Sequence, residues 1–365
     1  MNHEFYMNLA LLLAEKGYAN TFPNPMVGAV IVKDEKILGQ GYHEYFGGSH
    51  AEVNAIKNCH GENLFGASLY VTLEPCCHHG KTPPCTDAII KSGIKKVFIA
   101  MLDPSPHASG KGVEILKSNG IDVEIGILES KSRNLNYEFL TVLNEKRPFF
   151  NLKQASTLDG KLSPRNKTSK GLISSLDSRI EVHKMRSAYD GVLVGSNTVI
   201  IDDPILDCRL IEKPNKLPVR IVLDSFLEAP SSSKIFDTAL QRTLVFHSSN
   251  VLENRVTALK KLGVSTCSVS SLGHQLNLEE ISSALYEMGL LRILIEGGST
   301  LSSSFLESGL LDRYTLFMSP RILADNKSLS TFSFEDEITL DNAFSLYETT
   351  IEKLGDDFKV QGNLR

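Results

Sequence analysis

Three residues in the first quarter of the chain could together bind a zinc ion that takes part in catalysis. His50 lies in a His-Ala-Glu motif, Cys76 follows a Glu-Pro pair, and Cys85 follows Pro83-Pro84. One histidine and two cysteines supply three ligands and leave a fourth position for water, which is typical of a catalytic zinc rather than a structural one. Glu52, two residues past His50, can reach that water and shuttle a proton during hydrolytic deamination.

The spacing of the cysteines departs from the signature of zinc nucleobase deaminases, in which only two residues separate them. Eight residues lie between Cys76 and Cys85, so a loop must bulge out and return. Pro83-Pro84 suits a return at a helix start, because proline is tolerated in the first turn. A structural zinc knot, or buried thiols without metal, is the alternative. The upstream His-Ala-Glu and the apolar run 69–73 favour the catalytic interpretation.

A second candidate site lies in the other half of the chain. The run Ile295-Glu296-Gly297-Gly298-Ser299 is typical of a strand, a Gly-Gly turn and a helix start, where a phosphate could approach free backbone N–H groups. Gly-Gly at such a place is more often plain turn chemistry, and neither Gly-x-Gly-x-x-Gly nor a P-loop is present. Segments 153–161 and 195–204 each combine a strand pattern with polar residues, and their position alone leaves open whether they are solvated turns.

The bulk composition excludes several classes of protein. With 365 residues the chain is long enough for two domains, and a net charge of −5 gives no basic field for nucleic acid. Six cysteines, three of them between positions 76 and 85, favour metal use in a reducing compartment over a disulfide framework. No signal peptide and no apolar run of transmembrane length is evident. We therefore expect a cytoplasmic protein without a membrane or nucleic-acid partner.

Hydrophobic periodicity predicts alternating helices and strands in both halves. In the first half it predicts helices over 4–16, 50–58, 86–91, 112–119 and 129–140, and strands over 26–32, 37–41, 69–73, 96–100 and 121–127. In the second half it predicts helices over 178–187, 251–262, 278–288 and 301–308, and strands over 149–153, 192–194, 219–223, 243–246 and 292–296. Such alternation indicates α/β sheets covered on both faces. Charge and proline at 144–148 predict the domain boundary.

The segment from Thr72 to Cys85 resembles the deaminase half of the RibD family of bifunctional riboflavin-biosynthesis enzymes. Segments 153–161, 195–204 and 295–299 resemble the reductase half, in the same order, so the resemblance covers nearly the whole chain. It implies an N-terminal cytidine-deaminase-like three-layer α/β/α domain over 1–146, a zinc-dependent pyrimidine deaminase. It also implies a C-terminal dihydrofolate-reductase-like α/β domain over 147–365, an NADPH-dependent reductase.

The resemblance implies two consecutive reactions on one small molecule. The first is hydrolytic deamination of 2,5-diamino-6-ribosylamino-4(3H)-pyrimidinone 5′-phosphate. The second is reduction of the ribosyl side chain by NADPH, which gives 5-amino-6-ribitylamino-uracil 5′-phosphate. The implied cofactors are one zinc ion per deaminase domain and NADPH, and the chain is expected to form a homo-oligomer.

The resemblance also implies roles for individual residues. In the deaminase, His50, Cys76 and Cys85 would bind zinc, Glu52 would be catalytic, and Asn24, His43 and Lys81 would contact the substrate, the basic ones suiting its phosphate. The implied NADPH contacts are Ala155, Leu172, Thr198, Asp202, Ser225, Gly298, Ser299, Thr300, Leu301, Ser302, Ser303 and Ser304. The implied contacts of the reductase substrate are Lys153, Lys170, Arg186, Leu206, Arg209 and Glu296. The chain departs from the family pattern at Leu172 and Ser174, and Cys77 is not assigned to the metal.

Two other functions compete with this interpretation. A deaminase of tRNA adenosine or free nucleosides, with an unrelated second domain, would have its two cysteines closer together and would not bind NADPH. A structural zinc protein acting as an interaction module would bind its ion with four side chains and leave no place for water.

Overall fold

A computed structural model describes residues 2–78, 83–105, 109–164, 172–334 and 338–364 of the chain. The chain divides into two units, Met1–Glu145 and Lys146–Arg365. No helix among the described residues combines the length and the apolar character that crossing a membrane would require.

The first unit is a mixed sheet with strand order β2-β1-β3-β4-β5. Strand β1 pairs antiparallel with β2 and β3, whereas β3, β4 and β5 are parallel. The strands are β1 Gly28–Lys33, β2 Lys36–Tyr42, β3 Ser68–Leu73, β4 Lys96–Met101 and β5 Asp122–Ile125. The helices are α1 His3–Glu15, α2 Ala51–Lys57, α3 Cys85–Ser92, α4 Lys111–Ser118, α5 Glu129–Leu135 and α6 Tyr137–Glu145.

Alternate side chains of the strands pack into two apolar clusters, one on each face of this sheet, because successive residues of a strand point to opposite sides. On one face, strand residues such as Ile31, Val71 and Ile99 pack against helices α2, α3 and α4. On the other face, Val30, Tyr70 and neighbouring strand residues pack against α1. The first unit therefore has three layers, α/β/α.

The sequence pattern predicts one helix over 129–140, but the structure has two helices, α5 and α6, that meet at Asn136. The buried Asn136 amide bonds to the backbone of Met26 in both directions: its Oδ1 accepts from the N–H at 2.8 Å and its Nδ2 donates to the carbonyl at 3.0 Å. This side chain holds the segment that leads into β1, and periodicity alone does not reveal such a contact.

The second unit is built on a larger sheet with strand order β11-β10-β9-β8-β14-β6-β15-β18-β17. Its strands are β6 Phe149–Thr157, β7 Lys161–Ser163, β8 Gly191–Gly195, β9 Val219–Leu223, β10 Thr243–Ser248, β11 Ser265–Val269, β12 Ser271–Leu272, β13 Gln275–Leu276, β14 Arg292–Ile295, β15 Arg313–Ser319, β16 Leu329–Ser330, β17 Tyr347–Leu354 and β18 Asp357–Asn363. Its helices are α7 Leu176–Ala188, α8 Ser196–Asp202, α9 Glu253–Lys261, α10 Leu278–Glu287 and α11 Ser299–Glu307.

From β11 to β15 the neighbouring strands of this sheet are parallel, and β15, β18 and β17 are antiparallel. In parallel strands the carboxyl ends meet at one edge, where open α/β sheets place their ligands. The carboxyl ends of β6, β8, β9 and β14 therefore lie side by side.

Two features of the second unit differ from the sequence predictions. Segment 195–204 contains helix α8 directly after β8, where the pattern indicated only a strand exit. The sequence pattern also does not predict strands β7, β11, β12, β13, β15, β16, β17 and β18. In β17 seven of the eight residues are exposed, so the strand has no apolar periodicity to detect.

Candidate active sites

The three predicted zinc ligands converge because one strand end and two helix starts meet in the first unit. Cys76 follows β3, His50 is the residue directly before α2, and Cys85 is the first residue of α3, after Pro84. Helix N-termini carry partial positive charge, which favours a cysteine thiolate over a neutral thiol. The loop between the two cysteines returns at a helix start, as the Pro-Pro pair predicts.

The ligand atoms are close enough to share one ion. One ring nitrogen of His50 and the two sulfurs of Cys76 and Cys85 all lie within 4.8 Å of one another. His50 Nδ1 is 3.2 Å from Cys85 Sγ and 3.5 Å from Cys76 Sγ. Tetrahedral zinc with ordinary bond lengths places such ligand atoms about 3.6 to 3.8 Å apart. The donor set and its spacing therefore fit zinc, and Cys77 does not belong to this group within the described chain.

The surroundings of Cys76 favour its thiolate form. The hydrogen bond from the Cys85 side chain lowers the pKa of Cys76, and His50 acts in the same direction despite the opposing effect of burial. The backbone N–H of Cys85 also donates to Cys76 Sγ at 3.3 Å. A thiolate is the form that binds a metal.

Glu52 lies in the first turn of α2, beside the ligand cluster, and only 3% of its surface is exposed. Burial, together with the negative charge of Cys76, raises the pKa of Glu52 to about 7. Its carboxyl group also forms a hydrogen bond with the side chain of Cys85. A carboxyl group whose pKa is near neutral can both accept and return a proton, which is the property that a proton shuttle needs.

His43 and Asn24 form a hydrogen-bonded pair beside the cluster. His43 Nδ1 is 3.1 Å from the Ser49 carbonyl, which can only accept, so this nitrogen donates. Nε2 then accepts from Asn24 Nδ2 at 3.2 Å, and burial lowers the pKa of His43. A neutral ring cannot supply the positive charge expected for a phosphate, so we assign His43 to orienting Asn24. Lys81 lies outside the described residues.

A cavity of about 1420 Å³ opens at the carboxyl ends of the parallel strands in the second unit. Most of the predicted reductase residues line it: Lys153, Ala155, Arg186, Thr198, Asp202, Leu206, Ser225, Glu296, Gly298, Ser299, Thr300, Leu301 and Ser304. Among the described residues, Leu172 and Arg209 do not line it. Arg209 instead pairs with Asp207 at 2.5 Å and is largely exposed. Ser302 and Ser303 are buried inside α11, and Lys170 lies outside the described chain.

The inner wall of this cavity carries a buried cluster of charges centred on Glu296. Arg186 binds it in a bidentate manner, with Nε 2.6 Å from Oε1 and Nη2 2.9 Å from Oε2, and Lys153 Nζ lies 3.0 Å from Oε2. Burial alone would raise the pKa of Glu296, but Arg186 and Lys153 outweigh it and lower that pKa well below its ordinary value. The carboxylate is therefore ionised, and the cluster keeps one net positive charge.

Several residues that line the cavity were not among the predicted site residues, and His274, Gln275 and Gln154 are three of them. His274 lines the cavity from the turn between β12 and β13, and Gln275 lines it from the first position of β13. Each of these strands has only two residues, which is too short for periodicity to detect. Gly273, with φ of 59°, was the available signal for that turn. Gln154 also lines the cavity, but it stands between Lys153 and Ala155 in a strand pattern and carries no motif that would predict a site residue.

Comparison with known proteins gives matches over both units. A family model described as the RibD C-terminal domain matches residues 148–360. A second model, described as the cytidine and deoxycytidylate deaminase zinc-binding region, matches residues 1–101. The riboflavin biosynthesis protein RibD of Aquifex aeolicus is 43% identical over 97% of this chain and 96% of its own length. The chain belongs to the RibD family.

Solved RibD structures have the same fold over the full length of the chain. A Thermotoga maritima structure, described as a diaminohydroxyphosphoribosylaminopyrimidine deaminase/5-amino-6-(5-phosphoribosylamino)uracil reductase, is 39% identical, with a TM-score of 0.82 and coverage of 100% of this chain and 99% of that one. Acinetobacter baumannii RibD is 34% identical, with a TM-score of 0.80 and the same coverage. The predicted fold class, cytidine-deaminase-like followed by dihydrofolate-reductase-like, is confirmed.

Membership of the RibD family establishes what kind of enzyme the chain is. It is a bifunctional deaminase and reductase of riboflavin biosynthesis that acts on small molecules, as the sequence predicted. Its cofactors are zinc for the deaminase and NADPH for the reductase. The two competing interpretations, a tRNA or nucleoside deaminase and a structural zinc module, are thereby excluded.

Proposed function

We propose that residues 1–146 catalyse the deamination and residues 147–365 the reduction. The matches to the two family models, over 1–101 and 148–360, support this division. The chain also divides into structural units between Glu145 and Lys146, next to the charged and proline-containing segment. Each unit contains its own group of converging polar side chains.

The proposed substrate of the first unit is 2,5-diamino-6-ribosylamino-4(3H)-pyrimidinone 5′-phosphate. Its deaminated product is then reduced to 5-amino-6-ribitylamino-uracil 5′-phosphate by the second unit. Support comes from the Thermotoga maritima protein, whose description names these two activities. The observation that carries the proposal is the presence, in one chain, of a zinc-ligand cluster next to Glu52 and a separate charged cavity around Glu296.

In the deaminase, His50, Cys76 and Cys85 would hold zinc, which activates a water molecule for attack when it is bound. Glu52 accepts a proton from the attacking water and delivers it to the departing ammonia. Its burial supports both steps, because a carboxyl group with a pKa of about 7 changes protonation state readily at neutral pH. The water oxygen attacks the ring carbon that bears the amino group.

The proposed substrate site of the deaminase consists of Asn24, His43 and Lys81: Asn24 and Lys81 contact the substrate directly, and His43 acts by orienting Asn24. The neutral His43 ring accepts from the Asn24 amide N–H, so it fixes which end of that amide faces the substrate. Asn24 can then present its oxygen to a donor group of the pyrimidine. Lys81, as a basic residue, would supply the positive charge that binds the substrate phosphate.

In the reductase, NADPH supplies the hydride when it is bound. The free backbone N–H groups at Gly298 and the start of α11 suit its diphosphate, since a helix N-terminus favours an anion. Lys153 and Arg186 are held by Glu296 on the cavity wall. Their net positive charge would stabilise negative charge that develops on the ribosyl oxygen as the ring opens. The further proposed contacts are Leu206, which lines the cavity, and Lys170. Leu172 and Arg209 do not line the cavity, and their proposed roles rest on the family resemblance alone.

We also propose that the chain forms a homo-oligomer in the cytoplasm. Strand β17 is an edge strand with exposed apolar side chains, including Ile351 at 70% and Tyr347 at 41% exposure, and such edges tend to pair with another chain. The cysteine ligands of the zinc site need reducing conditions, which supports the cytoplasm. Light scattering after size exclusion tests the first proposal: Ile351→Lys should shift the mass toward a monomer, and a monomeric wild-type chain contradicts it.

One experiment tests the proposed order of reactions. The aminopyrimidine phosphate is supplied with enzyme, and ammonia and the absorbance of NADPH are followed together. We expect ammonia release without NADPH, and consumption of NADPH only after ammonia has begun to appear. Consumption of NADPH by the aminopyrimidine before any ammonia is released would contradict the proposed order.

A further inference from the structure

Gln154 is a buried amide on β6 that joins three other segments of the second unit. Only 2% of its surface is exposed. Its Nε2 donates to Ser302 Oγ on α11 at 2.8 Å and to the carbonyl of Thr331 at 2.9 Å. Its Oε1 accepts from the Tyr314 hydroxyl on β15 at 2.9 Å. Because a carbonyl can only accept, the Thr331 contact determines which end of the amide carries nitrogen.

The chain of hydrogen bonds continues from Gln154 to the Gly-Gly turn. Ser302 Oγ accepts from Gln154, so its own hydrogen is free to be donated to the carbonyl of Gly298 at 3.0 Å. Ser302 is fully buried and both of these contacts are internal. Its hydroxyl therefore serves the turn rather than a ligand in the cavity, which differs from the direct cofactor contact that the family resemblance implies.

This network connects the two parts of the cavity that the reductase must hold together: the charged wall proposed for the substrate and the turn proposed for the cofactor diphosphate. Strand β6 carries Lys153, which is paired with Glu296 on the inner wall. Helix α11 begins at the Gly297-Gly298 turn, where the diphosphate is proposed to bind. The bond from Gln154 to Ser302 is a direct side-chain link between that strand and that helix.

We propose that Gln154 is a positioning residue for NADPH, which fixes the Gly297-Gly298 turn relative to Lys153 through Ser302. The proposal rests on the proposed function, because it requires the cofactor to lie along this turn. Gln154 needs no contact with the dinucleotide for this role. It acts by holding Gly298 and the start of α11 in place before the cofactor arrives, so that binding does not have to order them.

The same strand offers a matched control. Asn151, three residues earlier on β6, is also a buried amide: its Nδ2 donates to the Tyr189 hydroxyl at 2.9 Å and its Oδ1 accepts from Thr315 Oγ1 at 3.0 Å. These bonds connect β6 with β15 and the end of α7, and none of them leads to Gly298. Asn151 therefore shares with Gln154 the stabilising effect of a satisfied buried amide, but not the link to the turn.

The test compares Gln154→Met with Asn151→Leu in the full-length enzyme. The dissociation constant of NADP⁺ is measured by calorimetry in the absence of the pyrimidine. The midpoint of unfolding and the rate of ammonia release are measured for the same variants. We expect Gln154→Met to weaken NADP⁺ binding by roughly ten-fold, as the turn loses its anchoring bonds. Asn151→Leu should change the NADP⁺ dissociation constant by less than about two-fold, although it lowers the midpoint of unfolding by a similar amount. Deamination should be unchanged in both.

Equal weakening of NADP⁺ binding by the two substitutions would overturn the proposal, since any buried amide would then have the same effect. If Gln154→Met does not fold, Ser302→Ala is compared with Tyr189→Phe, since each removes one hydroxyl from one of the two networks and only Ser302 carries the link to Gly298. A weaker NADP⁺ affinity for Ser302→Ala alone supports the proposal, and equal affinities for the two variants overturn it. Failure of the wild-type enzyme to bind NADP⁺ would instead refute the proposed function of the cavity.

Discussion

The Lys153 ammonium lies 3.0 Å from the Glu296 carboxylate, and both side chains are largely removed from solvent, with 14% and 8% exposed. Glu296 also binds Arg186, so one carboxylate compensates two buried cations. Replacing Glu296 with Gln removes the carboxylate that pairs directly with both cations. Breaking a buried ion pair at one partner costs about 3 kcal/mol or more. We expect that loss of unfolding free energy at pH 7, together with loss of the reductase activity and retention of deamination.

The same residue predicts a pH dependence of stability with a definite sign. Arg186 and Lys153, acting against burial, lower the pKa of Glu296 below the ordinary value of 4.5. A carboxyl group whose pKa is lower in the folded state than in the unfolded state stabilises the fold at pH values above its unfolded-state pKa. This stabilisation is lost as the pH falls from about 4.5 toward the folded-state pKa. The stability difference between wild type and Glu296→Gln should therefore shrink below pH 4.5. Denaturant unfolding of both proteins at pH 7 and at pH 4 measures this stability difference. A difference that is the same at both pH values would contradict the lowered pKa of Glu296.

Replacing Glu52 with Gln should separate metal binding from proton transfer. The amide keeps the size of the side chain but cannot accept and return the proton, and general acid–base catalysis contributes about 10² to 10⁴-fold. We expect ammonia release to fall by at least about 10²-fold, with zinc content unchanged and supplied deaminated pyrimidine reduced at the normal rate. Ammonia release near the wild-type rate would show that Glu52 is not the proton shuttle.

Zinc content provides a test that does not depend on activity. Cys85→Ser and Cys77→Ser change cysteines eight positions apart, but only Cys85 belongs to the cluster with His50 and Cys76. We expect Cys85→Ser to lose most of its zinc when it is dialysed against a chelator, and Cys77→Ser to retain one ion per chain. Equal retention by the two variants would contradict the ligand assignment.

The sequence could predict those parts of the molecule that depend on local pattern. The zinc ligands fall into this class, because a strand end and two helix starts can be recognised from short runs next to His50, Cys76 and Cys85. Strands such as β3 and β14 were predicted for the same reason, since strands that are buried on both faces are nearly continuous apolar runs.

The features that the sequence did not reveal depend on distant contacts. The neutral state of His43 follows from the Ser49 carbonyl and the Asn24 amide, and the break between α5 and α6 follows from the bond of Asn136 to Met26. Strand β17 was missed because a strand exposed on both faces has no period in its hydrophobicity. Ser302 was assigned to the cofactor by position along the chain, although its hydroxyl is used within the protein.

Glu74 links the strand that leads to Cys76 with the loop after β4. Its buried carboxylate accepts three backbone N–H groups: Asp103 at 3.1 Å, Gly110 at 2.9 Å and Val113 at 3.2 Å. The last two belong to the start of α4, so Glu74 caps that helix from another segment. Glu74→Gln would turn an N–H group toward these donors, which leaves at least one of them without an acceptor.

Each buried donor left without a partner costs about 1 to 3 kcal/mol, so Glu74→Gln should lower the unfolding free energy of the first unit by at least that amount. The control is Glu124→Gln on β5, an exposed position where the change should stay within about 0.5 kcal/mol. Asp103, whose N–H Glu74 accepts, interacts electrostatically with Cys76. We therefore also expect the Glu74 variant to release ammonia more slowly while its NADP⁺ affinity is unchanged. Chemical unfolding, an ammonia-release assay and NADP⁺ calorimetry measure these effects. Equal stabilities for the Glu74 and Glu124 variants would show that the three hydrogen bonds contribute nothing to the fold.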